Sequence, residues 1–257
     1  MSAPTVARIL NGLYDFDRLT VELLEPELSL HDVLARPVGS LRVDSRQVQA
    51  GDTFIAVPGA VGDGREHIAE AISSGCAFIL RESDDATLSV IGGVAQLALP
   101  EVAGNLSAIA ARFYRLLDTD GQSTKSALHV GITGTNGKTS CSQWLTQLLV
   151  MLGADAATIG TLGYGRVGQE VATGFTTPDA IGFQRILAEM NDAGIDYVVS
   201  EVSSHGLAQG RVAAVPFQVA VFTNIGRDHL DYHATVKAYV EAKLKLMAGP
   251  SLKAAVI

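Results

Sequence analysis

Gly131-Ile-Thr-Gly-Thr-Asn-Gly-Lys-Thr-Ser140 is the stretch on which the fold of this chain turns. The apolar residues Leu128–Ile132 predict a buried strand. Two glycines and an asparagine then turn the backbone sharply, and a helix is predicted with apolar Trp144, Leu145, Leu148, Leu149 and Leu152. Glycines let several backbone N–H groups converge on an anion, and a helix N-terminus adds partial positive charge. Lys138 supplies a mobile cation for β/γ-phosphates and Thr139 a hydroxyl for Mg²⁺, so the stretch reads as a cradle for ATP phosphates. It departs from the common phosphate-loop pattern in one place, where Ile132 stands five residues before Gly137 instead of glycine.

The rest of the chain repeats strand-then-helix units. In the first segment, strands are predicted at Leu41–Val43, Thr53–Val57 and Cys76–Leu80, with helices at Ile68–Ser74 and Val102–Leu117. The polar run Asp118–Ser126 reads as a linker, which gives two domains, 1–122 and 123–257. In the second, strands are predicted at Ala157–Gly160, Tyr197–Ser200, Val219–Thr223 and from Ala254. A helix opened by Thr177 and Pro178 carries a stripe of Phe183, Ile186, Leu187 and Met190, and a last helix spans Ala234–Ala248. Strands alternating with helices imply an α/β fold with a mostly parallel sheet covered on both faces.

At 257 residues, 47% hydrophobic and 18% charged, the chain can bury substantial cores. A net charge of −8 argues against a nucleic-acid footprint. Anionic ligands must then be attracted locally, by lysines, loop amides and metal. The first residues lack the pattern of an export signal, and no apolar run is long enough to span a bilayer. Cys76 and Cys141 read as reduced buried thiols in a cytoplasmic protein.

Three predicted strands end in polar clusters, Thr133–Thr139, Glu201–His205 and Asn224–His229. Ligands of open α/β sheets bind at that edge. Glu201 is placed to reach a phosphate-bound metal, or else caps a helix. His205 reads equally as a ligand contact or as a hydrogen-bonded core residue. The run Asn224-Ile-Gly-Arg-Asp-His-Leu-Asp-Tyr-His233 fits an oxygen-rich magnesium site using His229 better than a zinc site, since no thiol accompanies it. Asp228 and Asp231 are alternatively caps for the helix that follows. Lys243 falls within the apolar stripe Val236, Tyr239, Val240 and Met247, opposite Lys237, Glu241 and Lys245. A lysine on a buried face has a lowered pKa and, as a neutral amine, can add carbon dioxide to form a metal-binding carbamate. The alternative is a lysine whose stem merely covers apolar surface.

The motifs Gly134-Thr-Asn-Gly-Lys-Thr139, Thr176-Thr-Pro-Asp179, Glu201-Val-Ser-Ser-His-Gly-Leu207 and Thr223–His233 together resemble those of the Mur ligases of peptidoglycan synthesis. Leu41-Arg-Val-Asp-Ser-Arg46, Gly51-Asp-Thr-Phe-Ile-Ala-Val57 and Asp63-Gly-Arg65 resemble that family's N-terminal uridine-nucleotide-binding domain, and the resemblance runs from about residue 40 onward. The resemblance is strongest to the members that use ATP to join a diamino acid, meso-diaminopimelate or L-lysine, to UDP-MurNAc-L-Ala-D-Glu through an acyl phosphate. It implies that Gly134, Thr135, Asn136, Gly137, Lys138, Thr139 and Ser140 hold ATP. Thr139, Glu201, His229 and a carbamoylated Lys243 would serve magnesium, and Lys138, Lys243 and His205 would be the catalytic set. Val43, Ser45, Ala60, Val61 and Gly62 would hold the uridine-diphosphate end. Thr176, Thr177, Ser203, Gln209 and Arg211 would hold the muramoyl-dipeptide end. Phe175 stands where some relatives have asparagine, so no polar contact is implied there. The resemblance further implies a monomer that neither binds nucleic acid nor inserts in membranes. The family's third domain, with its Asp-Asn-Pro-Arg motif, has no counterpart here, so a chain ending inside its central domain, with weak or no ligation of its own, is expected. Two alternatives stay open: a folylpolyglutamate-type ligase sharing the loop and lysine, and a nucleotide- or UDP-sugar-binding fragment without catalysis.

Overall fold

The structure is a computed structural model that describes residues 3–16, 20–21, 29–59, 62–117, 120 and 127–257. The linker predicted at Asp118–Ser126 and the boundary at 122/123 therefore lie outside the described residues, Asp120 excepted. Two compact units are present, one built mainly from Met1–Phe113 and the other from Tyr114–Asp118 with Ser123–Ile257.

The first unit holds β1 (Thr20–Val21), β2 (Leu41–Arg42), β3 (Thr53–Ala56), β4 (Phe78–Glu82), β5 (Thr87–Ile91) and β6 (Val94–Leu99) in the order β1-β5-β6-β4-β3-β2. The pairs are parallel except β5 with β6. That hairpin is absent from the sequence reading. Its signal is Gly92-Gly93, both at positive φ (58° and 77°), a two-residue turn whose twist matches the flanking strands. Helices α1 (Val6–Leu10), α2 (Leu30–Ala35), α3 (Ile68–Ser73) and α4 (Val102–Phe113) complete the unit. Phe54, Ala56, Ala71, Cys76 and Ile79 form part of its core, with Ile68, Ile72 and Val94 packed against them.

In the second unit, β7 (Leu128–Thr133), β8 (Ala156–Gly160), β9 (Gly163–Gly165), β10 (Tyr197–Glu201), β11 (Phe217–Phe222) and β12 (Ala254–Val256) take the order β12-β11-β7-β10-β8-β9. All pairs are parallel except β8 with β9. The connecting helices are α5 (Lys138–Met151), α6 (Ala180–Asp192), α7 (Ser204–Ala208), α8 (Leu230–His233) and α9 (Val236–Leu244). Among the described residues no helix is long and apolar enough to cross a membrane.

Three expectations need correction. Helix α6 does not start at Thr177–Pro178. Asp179 is its N-cap, accepting from the amides of Ile181 (3.0 Å) and Gly182 (2.9 Å), a cap of a kind whose loss costs about 1 kcal/mol. The last helix is shorter than expected: Thr235, not Asp228 or Asp231, caps α9, and a 3₁₀ turn Lys245–Met247 follows it.

The third correction is the face of α5. Leu145 and Leu149 pack on Val130, Ile132 and Val199, but Trp144 (65% exposed), Leu148 (55%) and Leu152 (84%) point away from the sheet. Buried in their place are Ser142 and Thr146, whose hydroxyls return to the carbonyls of Thr139 (3.0 Å) and Ser142 (2.8 Å). A hydroxyl satisfied by its own helix can face an apolar sheet, so the small residues took the inward side.

His129 on β7 is buried beside Gln184, Leu187 and Asn191, around a cavity of only about 10 Å³. Desolvation pushes its pKa down to about 4, because the pocket has no room to hydrate an imidazolium. Below pH 6.5 the unfolded chain takes up a proton that the folded chain refuses until about pH 4. Stability is therefore lost as pH falls through that window, by about 3 kcal/mol from this residue. Denaturant titrations at pH 7, 5 and 4 should show a shallower acid loss in His129→Leu than in the parent. Equal slopes would contradict this assignment.

Candidate functional site

The four inner parallel strands of the second sheet end at one edge, at Thr133, Gly160, Glu201 and Phe222, and the polar clusters that follow them meet there. The loop Gly134–Gly137 turns from β7 into α5, whose first-turn amides have no intrahelical partners. Gly134 has φ +149°, and a Cβ there would lie 1.9 Å from the Thr223 hydroxyl, so only glycine fits. Gly137, at φ +83°, makes the final turn before Lys138.

The end of β11 clamps this loop. Asn224 accepts from the amides of Thr135 (3.1 Å, through its carbonyl) and Asn136 (3.0 Å, through its side chain) and donates to the Asn136 carbonyl at 3.0 Å. The Thr223 hydroxyl donates to the same carbonyl, and the Thr135 hydroxyl bridges the Gly226 amide (2.8 Å) and Tyr239 (2.9 Å). Four of these residues, Thr223, Asn224, Gly226 and Tyr239, were not assigned site roles from sequence. Their signal is an asparagine directly after an apolar strand, beside another strand's glycine turn.

Both predicted lysines reach this loop. Lys138 Nζ donates to the carbonyls of Gly134 (2.8 Å) and Thr135 (3.0 Å), and burial lowers its pKa. Lys243 is 1% exposed, so the wheel argument placed it correctly. Its Nζ donates to the Gly134 carbonyl (2.9 Å) and the Thr133 hydroxyl (3.4 Å) and lies 4.7 Å from the centre of the Tyr239 ring. Desolvation, then repulsion from Lys138, brings its pKa down to about 8.

Glu201 is also 1% exposed, and no ion pair to it forms among the described residues. Its Oε2 accepts from the Thr139 hydroxyl at 2.8 Å, joining the end of β10 to the start of α5. A buried carboxylate with no direct ion pair, next to a hydroxyl at a helix N-terminus, is a donor set suited to an oxygen-loving divalent ion. His229 lies between β11 and α8. No hydrogen bond or ring contact joins it to Glu201 or Thr139 among the described residues. Its ring is 4.7 Å from His205, which in turn is 4.3 Å from Tyr232 and 5.5 Å from His233. Burial, then the neighbouring His229 and His233, lowers the His205 pKa and favours the neutral ring.

The residues predicted for the muramoyl end form a connected group. Thr177 is buried, with its hydroxyl donating to the Glu201 carbonyl (3.0 Å) and accepting from the Ser203 amide (3.0 Å). These two bonds tie the strand end to the start of α7 and leave one lone pair of the hydroxyl free. Ser203 caps α7 through the Gly206 amide (3.0 Å). Arg211 donates to the Thr177 carbonyl (2.7 Å) and to Gln209 (2.9 Å), and Gln209 to Tyr232 (3.2 Å). Thr176 meets the Thr161 hydroxyl at 2.9 Å. Phe175 is 62% exposed and makes no side-chain polar contact.

In the first unit, Val43 and Ser45 follow β2 and Gly62 follows β3, parallel neighbours that bring them to one sheet edge. Ser45 donates to Glu70 at 2.7 Å, and Gly62 accepts from the Gly59 amide at 2.8 Å. Ala60 and Val61 lie outside the described residues.

Comparison with known proteins agrees with this geometry. Residues 37–114 match the Mur ligase family catalytic domain and residues 132–257 the Mur ligase middle domain. The UDP-N-acetylmuramoyl-L-alanyl-D-glutamate--2,6-diaminopimelate ligase of Ectopseudomonas mendocina is 48% identical over 220 residues, which cover 86% of this chain and 44% of that protein. The enzyme of the same name from Pseudomonas aeruginosa is 46% identical over 226 residues, covering 88% and 45%. A solved structure of a ligase of that name superposes with a TM-score of 0.75 at 29% identity, over 99% of this chain and 47% of the other. MurF ligase from Thermotoga maritima, solved with ADP, shares the fold at 22% identity and a TM-score of 0.53, over 81% and 43%. The chain spans about 44% of the length of the curated relatives it matches. With residues 37–114 and 132–257 both matching Mur ligase domain models, and relatives of 46–48% identity bearing Mur ligase names, the chain belongs to the Mur ligase family.

Proposed function

We propose that this chain supplies the nucleotide-holding and UDP-substrate-holding parts of an ATP-dependent ligase that joins 2,6-diaminopimelate to UDP-MurNAc-L-Ala-D-Glu. The observation that carries the reading is the convergence of Lys138, Thr139, Glu201 and Lys243 on one glycine loop. The names of the relatives support diaminopimelate as the amine. The sequence reading had left the choice between it and L-lysine open.

In the chemistry proposed, an oxygen of the D-Glu γ-carboxylate attacks the γ-phosphorus of ATP and the bond to ADP breaks. The amine of the diamino acid then attacks the acyl carbon, phosphate leaves, and the nitrogen loses a proton. Two anions must approach each other in the first step, so positive charge must be in place beforehand. Lys138 supplies it by exchanging the Gly134 and Thr135 carbonyls for phosphate oxygens. The first-turn amides of α5 supply the rest. Magnesium, when bound, neutralises phosphate charge; Glu201 and Thr139 would hold it, with His229 and a Lys243 carbamate as further ligands. Thr176, Gln209 and Arg211 would orient the carboxylate in line with the phosphorus.

Calorimetric titration of the folded chain with UDP-MurNAc-L-Ala-D-Glu tests the substrate. Micromolar binding is expected, and absence of heat from a well-folded chain would contradict the assignment.

A further inference from the structure

Of the groups at the strand edge, the Glu201 carboxylate is the most tightly surrounded, and half of its surroundings come from a place no functional motif marks. Strand β8 ends at Gly160, directly opposite this side chain. A Cβ on Gly160 would lie 2.1 Å from Oε1 and 2.7 Å from Cδ, so the carboxylate fills the space that a side chain would occupy. The next residue, Thr161, donates its amide to Oε1 (2.9 Å) and its hydroxyl to Oε2 (3.2 Å). The Thr161 hydroxyl is in turn met by Thr176 at 2.9 Å. With its own proton directed to Glu201, Thr161 accepts from Thr176, and the three residues form a directed chain of hydrogen bonds that fixes the Thr161 rotamer.

We propose that Gly160 and Thr161 are positioning residues for Glu201. They hold its carboxylate so that Oε2 faces the Thr139 hydroxyl, ready for the divalent cation that accompanies the nucleotide. The inference rests on the nucleotide-binding reading above. Oε1 is held by the Thr161 backbone amide and packs in the space beside Gly160 that a Cβ would fill. Oε2 is the oxygen turned to the start of α5, where the Thr139 hydroxyl donates to it and stands in the place a cation would take. Groups that orient a metal-binding carboxylate without touching the metal commonly change affinity by about 10- to 100-fold when removed.

The test is calorimetric titration of the full chain with ATP, in magnesium and in EDTA. Thr161→Val should weaken binding in magnesium by about tenfold and leave binding in EDTA unchanged. Thr161→Ser, which keeps the hydroxyl, should bind like the parent. Thr161 is exposed, so a folding defect is not expected, and an unchanged melting temperature would confirm that. Gly160→Ala should show a larger loss in magnesium, since its Cβ displaces the carboxylate. If Thr161→Val binds like the parent while Glu201→Gln loses the magnesium dependence, the positioning role is wrong and the nucleotide site stands. If neither Glu201→Gln nor Lys138→Ala alters binding in magnesium, the nucleotide site itself is wrong and the inference falls with it.

Discussion

Lys138→Ala is expected to weaken ATP binding by about two to three orders of magnitude while leaving the affinity for UDP-MurNAc-L-Ala-D-Glu unchanged. The ammonium is half buried, and burial lowers its pKa, so part of its hydration is lost before a ligand arrives. Its two present partners are uncharged carbonyls of Gly134 and Thr135, weaker acceptors than phosphate oxygens. Exchange of those carbonyls for phosphate therefore gains a charge-assisted bond without a large new desolvation cost. Truncation leaves phosphate charge uncompensated in a closed site, a loss of about 2–5 kcal/mol. The fold should not suffer, because removing a desolvated ammonium relieves a cost and the loop stays clamped by Asn224. Calorimetry with ATP in magnesium, together with a melting curve, checks both halves. Unchanged ATP affinity would remove the phosphate-loop assignment.

Lys243→Ala is expected to abolish carbamate formation. With a pKa of about 8, about half of the Lys243 amines are neutral at pH 8 and able to attack carbon dioxide. The ammonium loses one proton to become the neutral amine and a second as the N–C bond to carbon dioxide forms, so a cation becomes an anion. Repulsion between Lys243 and Lys138 then becomes attraction; the carbamate nitrogen keeps one N–H for the Gly134 carbonyl, and its oxygens are the ligands for magnesium. With ¹³C-labelled bicarbonate, the parent should show a protein-bound carbamate resonance that grows from pH 7 to pH 9 and is missing in Lys243→Ala. Magnesium-dependent ATP binding should weaken in the variant and be partly restored by a small carboxylate such as acetate. A resonance that persists in Lys243→Ala, or parent-like binding without the side chain, would rule out the carbamate role.

The parts of this site that could be read in advance are those whose signal is local. A glycine turn between an apolar strand and a helix has few outcomes, and β7, the loop and α5 follow it closely. Lys243 was legible because helical periodicity alone assigns residues 236–247 to a buried or an exposed side. Periodicity misled on α5, where Trp144, Leu148 and Leu152 form as regular an apolar stripe as the inward one. The choice between two stripes depends on which side chains satisfy their polar atoms within the helix. Ser142 and Thr146 do so, and hydropathy does not register it. Thr177 illustrates the same limit. Next to Pro178 it looks like the start of a helix, yet its hydroxyl joins Glu201 and Ser203, residues 24 and 26 positions away.

The sequence by itself determined the α/β class, the parallel second sheet, the glycine turn between β7 and α5 and the burial of Lys243. Each rests on patterns spanning a few turns or one strand, where local sterics and hydrophobic period dominate. Tertiary structure alone decided that Asn224 clamps the loop, that Gly160 and Thr161 hold Glu201, and that His229 packs with His205. Those contacts join residues 24, 40 and 88 positions apart along the chain. Parallel pairing sets which ends become neighbours, and no local pattern carries that information.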